Sequence, residues 1–512
     1  MRIGVDVGGT NTDAVLMDGT TVIGWFKTQT TADVTTGITT AIRTVLEETK
    51  IPTNEIKAVM IGTTHFTNAV VEQKRLMQTA AIRVGLPATE CLPPMVDWPP
   101  DLRDTIGNHK YLVHGGHEFD GREIAPLDEN EIREVAKDIK SKGIRAVAIS
   151  AVFSPVNGSF EERAAEIIQN ELPDVSISLS HEIGRMGILE RENAAILNAC
   201  LGELAKAIVD SFRKALADMK IDAPFYLSQN DGTLMSAEYA EKYPVLTFAS
   251  GPTNSMRGAA FLSGVKDAMV VDLGGTTSDV GMLLRGFPRE ASVAVEISGV
   301  RTNFRMPDVY SFGLGGGSIV SQDPLKIGPQ SVGYELTTKG LVFGGDVLTT
   351  TDLAVAGGLV DIGDASAVKS LDATFVREAL DEIQSMVETA VDRMKTSAAP
   401  VPLILVGGGT ILVSRQVEGT SEMIKPEHFP VANAIGAAIA QVGGETDRVF
   451  ALAELPRDEA LAQARQEATD KAIAAGADEK TITIVDVEEV PLAYLPSNAV
   501  KIRVKAVGDL AL

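Results

Sequence analysis

One eight-residue pattern occurs twice in the chain, and this repeat constrains the fold more than any other feature. The two copies read Asp6-Val7-Gly8-Gly9-Thr10-Asn11-Thr12-Asp13 and Asp272-Leu273-Gly274-Gly275-Thr276-Thr277-Ser278-Asp279. Each copy lies between two short apolar runs, an order typical of a strand, a glycine turn and a second strand. A single turn of this kind often only closes a hairpin. The repetition predicts that each hairpin heads one of two related α/β halves.

The residue types in the repeat suit a phosphorylated ligand. Paired glycines let the backbone approach an anion and expose N–H donors to it, and the threonine hydroxyls add further donors. Asp6 and Asp272 stand at the strand ends, where a carboxylate can hold a hydrated divalent cation. Asp13 and Asp279 fit the common role of turn-capping aspartates. Two such turns facing each other across a cleft would hold one nucleotide with its metal.

Size and composition exclude several classes of protein. The 512 residues are enough for two or three domains, and the net charge of −23 argues against nucleic acid as a partner. Cys91 and Cys200 are the two cysteines, too few for a disulfide framework, which favours a reducing compartment. No apolar run has the length of a membrane span, and the first strand begins almost at Met1, leaving no room for a signal peptide. We therefore expect a cytoplasmic protein that is not associated with membranes.

Along the chain, helical and strand patterns alternate, which predicts largely parallel sheets covered by helices. We expect an N-terminal half over residues 1–185, a C-terminal half over 186–450, and a helix and strand appendage over 451–512. Each half should contain a five-stranded mixed sheet flanked by helices. Residues 87–123 interrupt the alternation and are predicted to be an irregular insertion. An amphipathic helix is predicted from Ala32 to Thr49, with Val34 on its apolar face, and a long helix from Met186 to about Lys220 should bridge the halves.

Two further glycine clusters follow the second copy of the repeat. Gly313 to Ser318 includes Gly315 and Gly316, and the strand Leu403 to Val406 runs directly into Gly407, Gly408 and Gly409. The second cluster is suited to close contact with adenosine, although a tight turn between strand and helix is the alternative. The small-residue stretch Ala432 to Ala438 predicts a helix that packs closely beneath the cleft.

These motifs resemble a known group of proteins. The two phosphate loops resemble those of the actin–hexokinase–Hsp70 ATPase superfamily, and four further stretches resemble one branch of it, the hydantoinase A/oxoprolinase family. The four stretches are Gly62 to Ala69, Ser180 to Arg185, Leu246 to Gly251 and Gly313 to Ser318. In one departure from the family pattern, Tyr310 stands where a histidine is often found. Within the first stretch, Thr63, Thr64 and Thr67 are either helix N-caps or residues of the cleft.

The resemblance implies a duplicated actin/hexokinase-like ATPase fold and an ATP-dependent attack on a cyclic amide of the hydantoin, oxoproline or lactam type. ATP would phosphorylate the amide oxygen, so that water can open the ring. Catalysis is expected from Asp6, Asp272, Thr10 and Thr276, with Asp6 and Asp272 also holding magnesium. The ATP-binding residues are predicted to be Gly8, Gly9, Thr10, Asn11, Gly274, Gly275, Thr276, Thr277, Gly315, Gly316, Gly407, Gly408 and Gly409.

The resemblance also implies a separate B-type partner subunit, and hence a hetero-oligomer or a homodimer. Three alternative functions use the same phosphate loops. They are a small-molecule kinase, an ATP-dependent carboxylase subunit and a non-catalytic ATPase that reactivates or scaffolds a partner. Because all of them need the same nucleotide site, the residues alone leave these alternatives open.

A second metal, zinc, is predicted in the insertion. His109, His114 and His117 lie within nine residues, and Cys91, Asp97 and Asp101 precede them. Imidazoles, a thiolate and a carboxylate form a zinc-type ligand set, although a polar surface loop is the alternative. Related carboxylase and lactamase subunits resemble this chain in carrying a metal near this position. The predicted ligands are Cys91, Asp97, His114 and His117, with His109 in reserve.

Overall fold

The structure is a computed structural model that describes residues 1–31, 33, 35–291, 294–493 and 498–511. Within these ranges no helix combines the length and the apolar character needed to cross a bilayer. Mixed sheets covered by helices form the core. The alternating pattern predicted largely parallel sheets, but most strand pairs in the two larger sheets are antiparallel.

The elements before the second copy of the repeat fall into three groups. The first group is β1 Arg2–Val7, β2 Asn11–Asp18, β3 Thr21–Gln29, α1 Thr36–Thr49, β4 Ala58–Thr63 and α2 His65–Val71. The second is β5 Thr79–Leu86, α3 Pro100–Thr105, β6 His109–His114, α4 Glu129–Ser141, β7 Ala146–Ala151, α5 Ser159–Glu171, β8 Ser176–Leu179 and α6 Ser180–Ile183. The third is α7 Ile188–Cys200, α8 Gly202–Asp218, β9 Phe225–Ser228, β10 Thr233–Ser236, α9 Ala237–Lys242 and α10 Ser250–Ser263.

The remaining elements form two groups. The first is β11 Ala268–Leu273, β12 Ser278–Leu284, β13 Phe287–Pro288, β14 Val295–Ile297, β15 Val300–Thr302, β16 Val309–Phe312, β17 Ser318–Gln322, β18 Leu325–Ser331, α11 Leu336–Lys339, α12 Thr350–Ala356, α13 Ala373–Met394, β19 Val401–Val406, β20 Thr420–Ile424 and α14 Ala432–Ala438. The second is β21 Gln441–Ala451, α15 Arg457–Ala474, β22 Thr483–Pro491 and β23 Ala499–Gly508.

The repeated pattern forms two matching hairpins. β1 pairs antiparallel with β2 and parallel with β4, and β11 pairs antiparallel with β12 and parallel with β19. Asp6 lies opposite Asp13 in the first hairpin, as Asp272 lies opposite Asp279 in the second. Each turn is closed by the same backbone hydrogen bond, from the first glycine of the turn to the residue three positions later, with both N···O distances at 3.0 Å. The predicted duplication is therefore confirmed.

The sheets are larger than the five strands predicted for each half. One sheet has nine strands in the order β22-β23-β21-β10-β9-β4-β1-β2-β3, and another has six, β13-β12-β11-β19-β20 with β16 beside β12. Residues 451–512, expected to form an appendage, supply β22 and β23 to the nine-stranded sheet. Pairing between strands that lie hundreds of residues apart leaves no local signal in the sequence, so the strand count could not be predicted.

A third sheet lies within the N-terminal region and has four parallel strands in the order β6-β5-β7-β8. Its edge strand β6 and helix α3 fall inside residues 87–123, so the prediction of an irregular insertion was wrong for those parts. Most of β6 is only half-buried. Its sequence therefore lacks the continuous apolar run by which a buried parallel strand is recognised.

Two helix predictions differ from the structure at their boundaries. The single long helix expected from Met186 is observed as α7 and α8, which are separated at Leu201. α7 is buried from Arg191 to Cys200 and packs against β5, β7 and β8 of the four-stranded sheet. The helix predicted from Ala32 begins at Thr36 in the structure, and Ala32 and Val34 lie outside the described residues.

Helices α10 and α14 cross between the nine-stranded and six-stranded sheets. α14 packs on β1, β2 and β4, while α10 packs on β11 and β19 and also reaches β4. The helices touch at Gly258 and Gly436, where a Cβ atom would overlap the carbonyl oxygens of Ala432 and Asn254 respectively. The close packing predicted for Ala432 to Ala438 is confirmed, and it brings the first residues of both helices to the hairpin turns.

Candidate nucleotide-binding site

The two hairpin turns meet each other. Thr10 Oγ1 lies 3.2 Å from Thr276 Oγ1, although the two residues are 266 positions apart in the chain. A Cβ on Gly275 would come within 3.2 Å of the Thr10 side chain. Gly9 and Thr277, at the tips of the turns, are exposed. The fold therefore places two glycine turns face to face with their tips open, as the repeat predicted.

Asp6 is buried behind the first turn and is held by two amide side chains. Asn254 Nδ2 of α10 donates to Asp6 Oδ1 at 3.3 Å, and Asn433 Nδ2 of α14 donates to Oδ2 at 3.0 Å. Burial raises the pKa of Asp6 to about 6, and the nearby carboxylates of Asp13 and Asp272 act in the same direction. The charge on Asp6 is therefore costly unless a cation is close.

The other three aspartates of the repeat are also buried near the two turns. Ser255 Oγ donates to Asp272 Oδ2 at 2.5 Å, and Lys27 Nζ lies 2.7 Å from the carboxylate of Asp13. Burial raises the pKa of Asp13, Asp272 and Asp279, that of Asp279 to about 6. Asp6, Asp13 and Asp272 thus interact at the base of the cleft, and Asp279 lies beside Asp272. Within the described ranges Lys27 is the one ammonium group that forms an ion pair with any of them.

These residues fit a hydrated magnesium ion. Oxygen ligands from carboxylates and amides are the donors that Mg²⁺ prefers, and it usually keeps several of its waters. Asn254 Oδ1 is buried beside Asp6 and accepts no hydrogen bond from the described residues. An excess of negative charge together with a free acceptor is the arrangement expected where a divalent cation and its waters bind.

Gly315 and Gly316 lie behind the second turn. The N–H of Gly316 donates to the Gly274 carbonyl at 3.1 Å, and that of Gly317 donates to the Gly275 carbonyl at 2.7 Å. The N–H of Gly315 donates to Ser318 Oγ at 2.8 Å. These backbone donors are already used within the protein, so the cluster supports the shape of the turn.

Gly407 and Gly409 pack against the strand that carries Asp272. Gly407 has a φ of +86°, and a Cβ there would overlap Asp272 Oδ1. Gly408 faces open space, and Thr410 Oγ1 is buried without a hydrogen-bond partner among the described residues. A cavity of about 640 Å³ opens farther along this segment, lined by Leu412 and Arg415 and by residues of α12 and α13.

The threonine stretch before α2 adjoins the first hairpin. Thr64 Oγ1 donates to the Val7 carbonyl at 3.2 Å, and it caps no backbone N–H of α2. Thr63 Oγ1 and His65 Nδ1 are 2.5 Å apart, and burial lowers the pKa of His65. Ser250 Oγ contacts the Thr63 carbonyl at 3.4 Å. Two of the stretches that carry the family resemblance therefore lie side by side next to the cleft.

The structure does not support the predicted zinc site. His109 and His114 stand at opposite ends of β6, roughly 16 Å apart at the usual rise of a strand. His114 Nδ1 lies 2.8 Å from Glu131, and His117 Nε2 lies 3.2 Å from Asn157. Cys91 is exposed, and Asp97 receives a 3.4 Å hydrogen bond from Asn193. Within the described ranges no three His, Cys, Asp or Glu side chains converge as direct ligands of one metal. This holds for the aspartates of the cleft as well, which would bind a hydrated ion through its waters.

Asn254, Ser255 and Asn433 were missed by the sequence analysis, although they hold the two central carboxylates. A signal was present, because polar amides within helices of small residues are unusual at a close helix contact. Which carboxylate they would meet depends on the crossing of α10 and α14, and no local pattern encodes that crossing.

Several known proteins resemble this chain in sequence. The alpha subunit of caprolactamase from Pseudomonas jessenii is 26% identical over 465 residues, which cover 85% of this chain and 65% of that protein. The gamma subunit of acetophenone carboxylase from Aromatoleum aromaticum is 27% identical over 398 residues, 70% of this chain and 53% of that protein. The chain thus spans between about half and two thirds of the length of these relatives.

The fold is shared with a solved structure. The crystal structure of ATP-dependent caprolactamase from Pseudomonas jessenii matches with a TM-score of 0.80 at 20% identity, covering 99% of this chain and 87% of that chain. Residues 2–172 match the family model described as Hydantoinase/oxoprolinase N-terminal region, and residues 191–399 match the one described as Hydantoinase/oxoprolinase. The two family models match in chain order and together cover more than half of the chain. With the facing hairpins and the shared fold, they show that the chain belongs to the hydantoinase/oxoprolinase family.

Proposed function

We propose that this chain is the ATP-using subunit of an enzyme that hydrolyses a cyclic amide. The observation that carries the proposal is the contact between Thr10 and Thr276, with the interacting carboxylates of Asp6, Asp13 and Asp272 buried close to the same two turns. This arrangement suits a triphosphate with its metal and leaves the turn tips open to a second reactant. The likeness to a caprolactamase alpha subunit supports a cyclic amide as that reactant.

The phosphates would lie along both turns. The N–H groups of Gly8 and Gly274 close the hairpins, so the free donors are those nearer the tips. We assign the backbone N–H groups of Gly9 and Gly275, with the hydroxyls of Thr10 and Thr276, to the phosphate oxygens. Asn11 and Thr277 flank these donors at the far side of each turn.

The base would occupy the 640 Å³ cavity. α12 begins at the glycine cluster, where the hydroxyls of Thr350 and Thr351 donate to the carbonyls of Gly315 and Gly316, and its last residue, Ala356, lines the cavity. The segment after Gly409 runs the same way, to Leu412 and Arg415. Because two elements lead from the second turn to the cavity, a nucleotide with its phosphates on the turns would reach it. Gly408, which faces open space, would meet the ribose.

Asp6 and Asp272 would hold magnesium through its waters. When bound, the ion neutralises phosphate charge and orients the transferred group. Asn254 and Asn433 fix the Asp6 carboxylate from both sides, and Ser255 fixes that of Asp272. Each carboxylate is therefore preorganised by side chains from α10 or α14.

In the proposed reaction the amide oxygen attacks the γ-phosphorus, a new P–O bond forms, and ADP leaves with the electrons of the bond that breaks. Water then adds to the activated carbon, and the C–N bond breaks so that the ring nitrogen departs as an amine and an acyl phosphate remains. A second water hydrolyses the acyl phosphate to a carboxylate and phosphate. The caprolactamase and acetophenone carboxylase relatives are both subunits of larger enzymes. We accordingly assign the hydrolytic half of the reaction to a separate B-type partner and expect a hetero-oligomer.

The second candidate is an ATP-dependent carboxylase subunit, which the likeness to the acetophenone carboxylase gamma subunit favours. The same turns would serve both reactions, because each begins with phosphoryl transfer to an oxygen of the substrate. The two candidates differ in the substrate and in the requirement for bicarbonate.

ATP turnover separates the candidates. We would incubate the chain with hydantoin, 5-oxoproline or small lactams, and in parallel with ketones and bicarbonate, with and without the product of the neighbouring gene. The proposal predicts ADP release that depends on a cyclic amide, with the ring-opened product appearing when the partner is present. ADP release that requires a ketone and bicarbonate would identify a carboxylase. A phosphorylated product that accumulates would identify a kinase.

A further inference from the structure

Three side chains form one row across the first three strands of the nine-stranded sheet. Asp6 of β1 lies opposite Asp13 of β2, and Asp13 lies opposite Lys27 of β3. Residues that lie directly opposite each other in adjacent strands project from the same face of a sheet. Lys27 therefore continues the row that begins at Asp6, one of the two carboxylates assigned to magnesium.

The end of β3 is joined to the first hairpin turn. The backbone N–H of Thr30 donates to the Thr10 carbonyl at 3.0 Å, and the hydroxyl of Thr30 donates to the Gly8 carbonyl at 2.8 Å. Lys27 stands only three residues before this junction. The strand that carries the ammonium group is therefore held in a fixed position beside the phosphate donors of that turn.

The positive charge of Lys27 acts on both hairpins. Its Nζ atom donates to Asp13 Oδ2 at 2.7 Å, and Asp13 Oδ1 lies at the same distance. Burial raises the pKa of Asp272, while the hydroxyl of Ser255 and the charge of Lys27 oppose this rise. Because the charge is felt by a carboxylate of each hairpin, the ammonium group is near the space between the two turns.

The ammonium group of Lys27 keeps a donor for a ligand. An ammonium carries three N–H donors, and the two oxygens of Asp13 can use at most two of them. Among the residues that the structure describes, Asp13 is the one hydrogen-bond partner of Lys27 Nζ. The side chain of Lys27 is 30% exposed, whereas that of Asp13 is 1% exposed. Asp13 therefore holds the ammonium group from its buried side, and an anion can reach it from the open side.

The phosphate donors assigned to the two turns are neutral N–H and hydroxyl groups, so they do not balance the charge of a triphosphate. The proposed position of the base, in the cavity beside α12 and α13, is on the side of the second turn. A triphosphate that extends from there across both turns brings its terminal phosphate to the first turn, which β3 adjoins. A charge-assisted hydrogen bond from an ammonium group to a phosphate is strong.

We propose that Lys27 binds the γ-phosphate and thereby distinguishes ATP from ADP. Asp13 keeps the ammonium group in position, and the remaining donor contacts the γ-phosphate. An ADP molecule lacks this contact, so it is held less tightly than ATP. The inference rests on the proposed function, because it takes the two turns to be the phosphate site.

The test is calorimetric titration of the intact chain with magnesium ADP and with the magnesium complex of the β,γ-imido analogue of ATP, which is not hydrolysed. We expect Lys27→Met to bind the triphosphate analogue about tenfold to a hundredfold more weakly, with the affinity for ADP changed by less than about twofold. Lys27→Arg keeps the charge and should lose less affinity than Lys27→Met. Lys57→Met, at an exposed position before β4, should bind both nucleotides as the original chain does.

A double variant separates phosphate binding from the support of Asp13. Lys27→Met leaves a buried carboxylate without its partner, which by itself can disturb the first hairpin. Asp13→Asn/Lys27→Met removes both charges. If Lys27 served only to neutralise Asp13, the double variant would regain the original affinity for the triphosphate analogue. The proposal predicts that the double variant still binds the analogue about tenfold or more weakly than the original chain does.

Circular dichroism and the thermal midpoint check that each variant is folded. Unchanged affinity for the triphosphate analogue in Lys27→Met would overturn the proposal, as would restored affinity in the double variant. An equal loss of affinity for ADP and for the analogue would also overturn it. In these cases the proposed function stands, because the original chain binds nucleotide. If the original chain bound neither nucleotide, this inference and the proposed function would both fail.

Discussion

Asp6 is a buried carboxylate whose charge must be compensated, and this has a consequence for stability. Its pKa is raised from 3.8 to about 6, mainly by burial. The folded chain therefore binds this proton more tightly than the unfolded chain. The resulting stabilisation is complete below the unfolded pKa and is lost as the pH rises through about 6.

We expect the chain in magnesium-free buffer to lose about 1–3 kcal/mol of unfolding free energy between about pH 4 and about pH 7, relative to Asp6→Asn. Urea unfolding at a series of pH values measures the difference. Asp18→Asn, at an exposed position of β2, is the control and should follow the original chain. If the unfolding free energies of Asp6→Asn and of the original chain changed with pH in the same way, the pKa assigned to Asp6 would be contradicted.

Asp272 tests the nucleotide site directly. Asp272→Asn removes a charge needed near the metal, so ATP hydrolysis should fall by about a hundredfold or more while the thermal midpoint hardly changes. The assay is ADP release at saturating magnesium. Asp323→Asn, an exposed aspartate beside β18, should keep full turnover. Unchanged ATP turnover in Asp272→Asn would show that Asp272 is not part of the nucleotide site.

Individual residues could be assigned from the sequence where the pattern that marks them is local. The aspartates and threonines of the two hairpins could be identified because each stands within a few residues of its glycines. The histidine cluster misled for the opposite reason. His109, His114 and His117 are close in sequence, but an extended strand separates the first two and sends the ring nitrogens to different partners.

Among the elements, the crossing of α10 and α14 determines how the halves meet. Gly258→Ala would place a methyl group on the Ala432 carbonyl, so the helices must separate, at a cost of about 1–3 kcal/mol or more. Gly251→Ala is a matched control on the same helix, because its Cβ would meet only the Thr64 methyl at 4.0 Å. Chemical denaturation of both variants measures the difference. Equal stabilities would show that the crossing tolerates a side chain.

The elements themselves were predicted unevenly. The hairpins and α14 follow from short patterns of glycine, alanine and apolar residues. The break at Leu201 carries no proline, and its one signal is Gly202. Because a single glycine inside a helical pattern is often tolerated, one helix was predicted where two exist. The position of β21 and β23 in the first sheet depends on partners distant in the chain, and only the folded molecule shows them.

Across the whole molecule, one buried ion pair connects the four-stranded sheet to α7. Arg83 of β5 donates to both carboxylate oxygens of Glu192 at 2.8 and 2.5 Å, and both side chains are almost fully buried. Glu192→Ala leaves Arg83 unpaired, which should cost about 3–5 kcal/mol. Hydrogen exchange of the β5 and β7 amides measures this loss.

The double variant Arg83→Met/Glu192→Leu should be less destabilised than Glu192→Ala, because no buried charge is left without a partner. Glu134→Ala, which breaks an exposed pair with Lys137, should leave the exchange unchanged. If the β5 and β7 amides of Glu192→Ala exchanged as slowly as those of the original chain, the ion pair would not be what connects the sheet to α7.

The order of strands in the nine-stranded sheet has a consequence for synthesis on the ribosome. The four-stranded sheet uses strands within residues 79–179 and can pair as soon as that stretch has emerged. The nine-stranded sheet must wait for β21, at residues 441–451, and for β23, at residues 499–508. Until β21 emerges, β10 presents an open edge to chaperones and to other nascent chains.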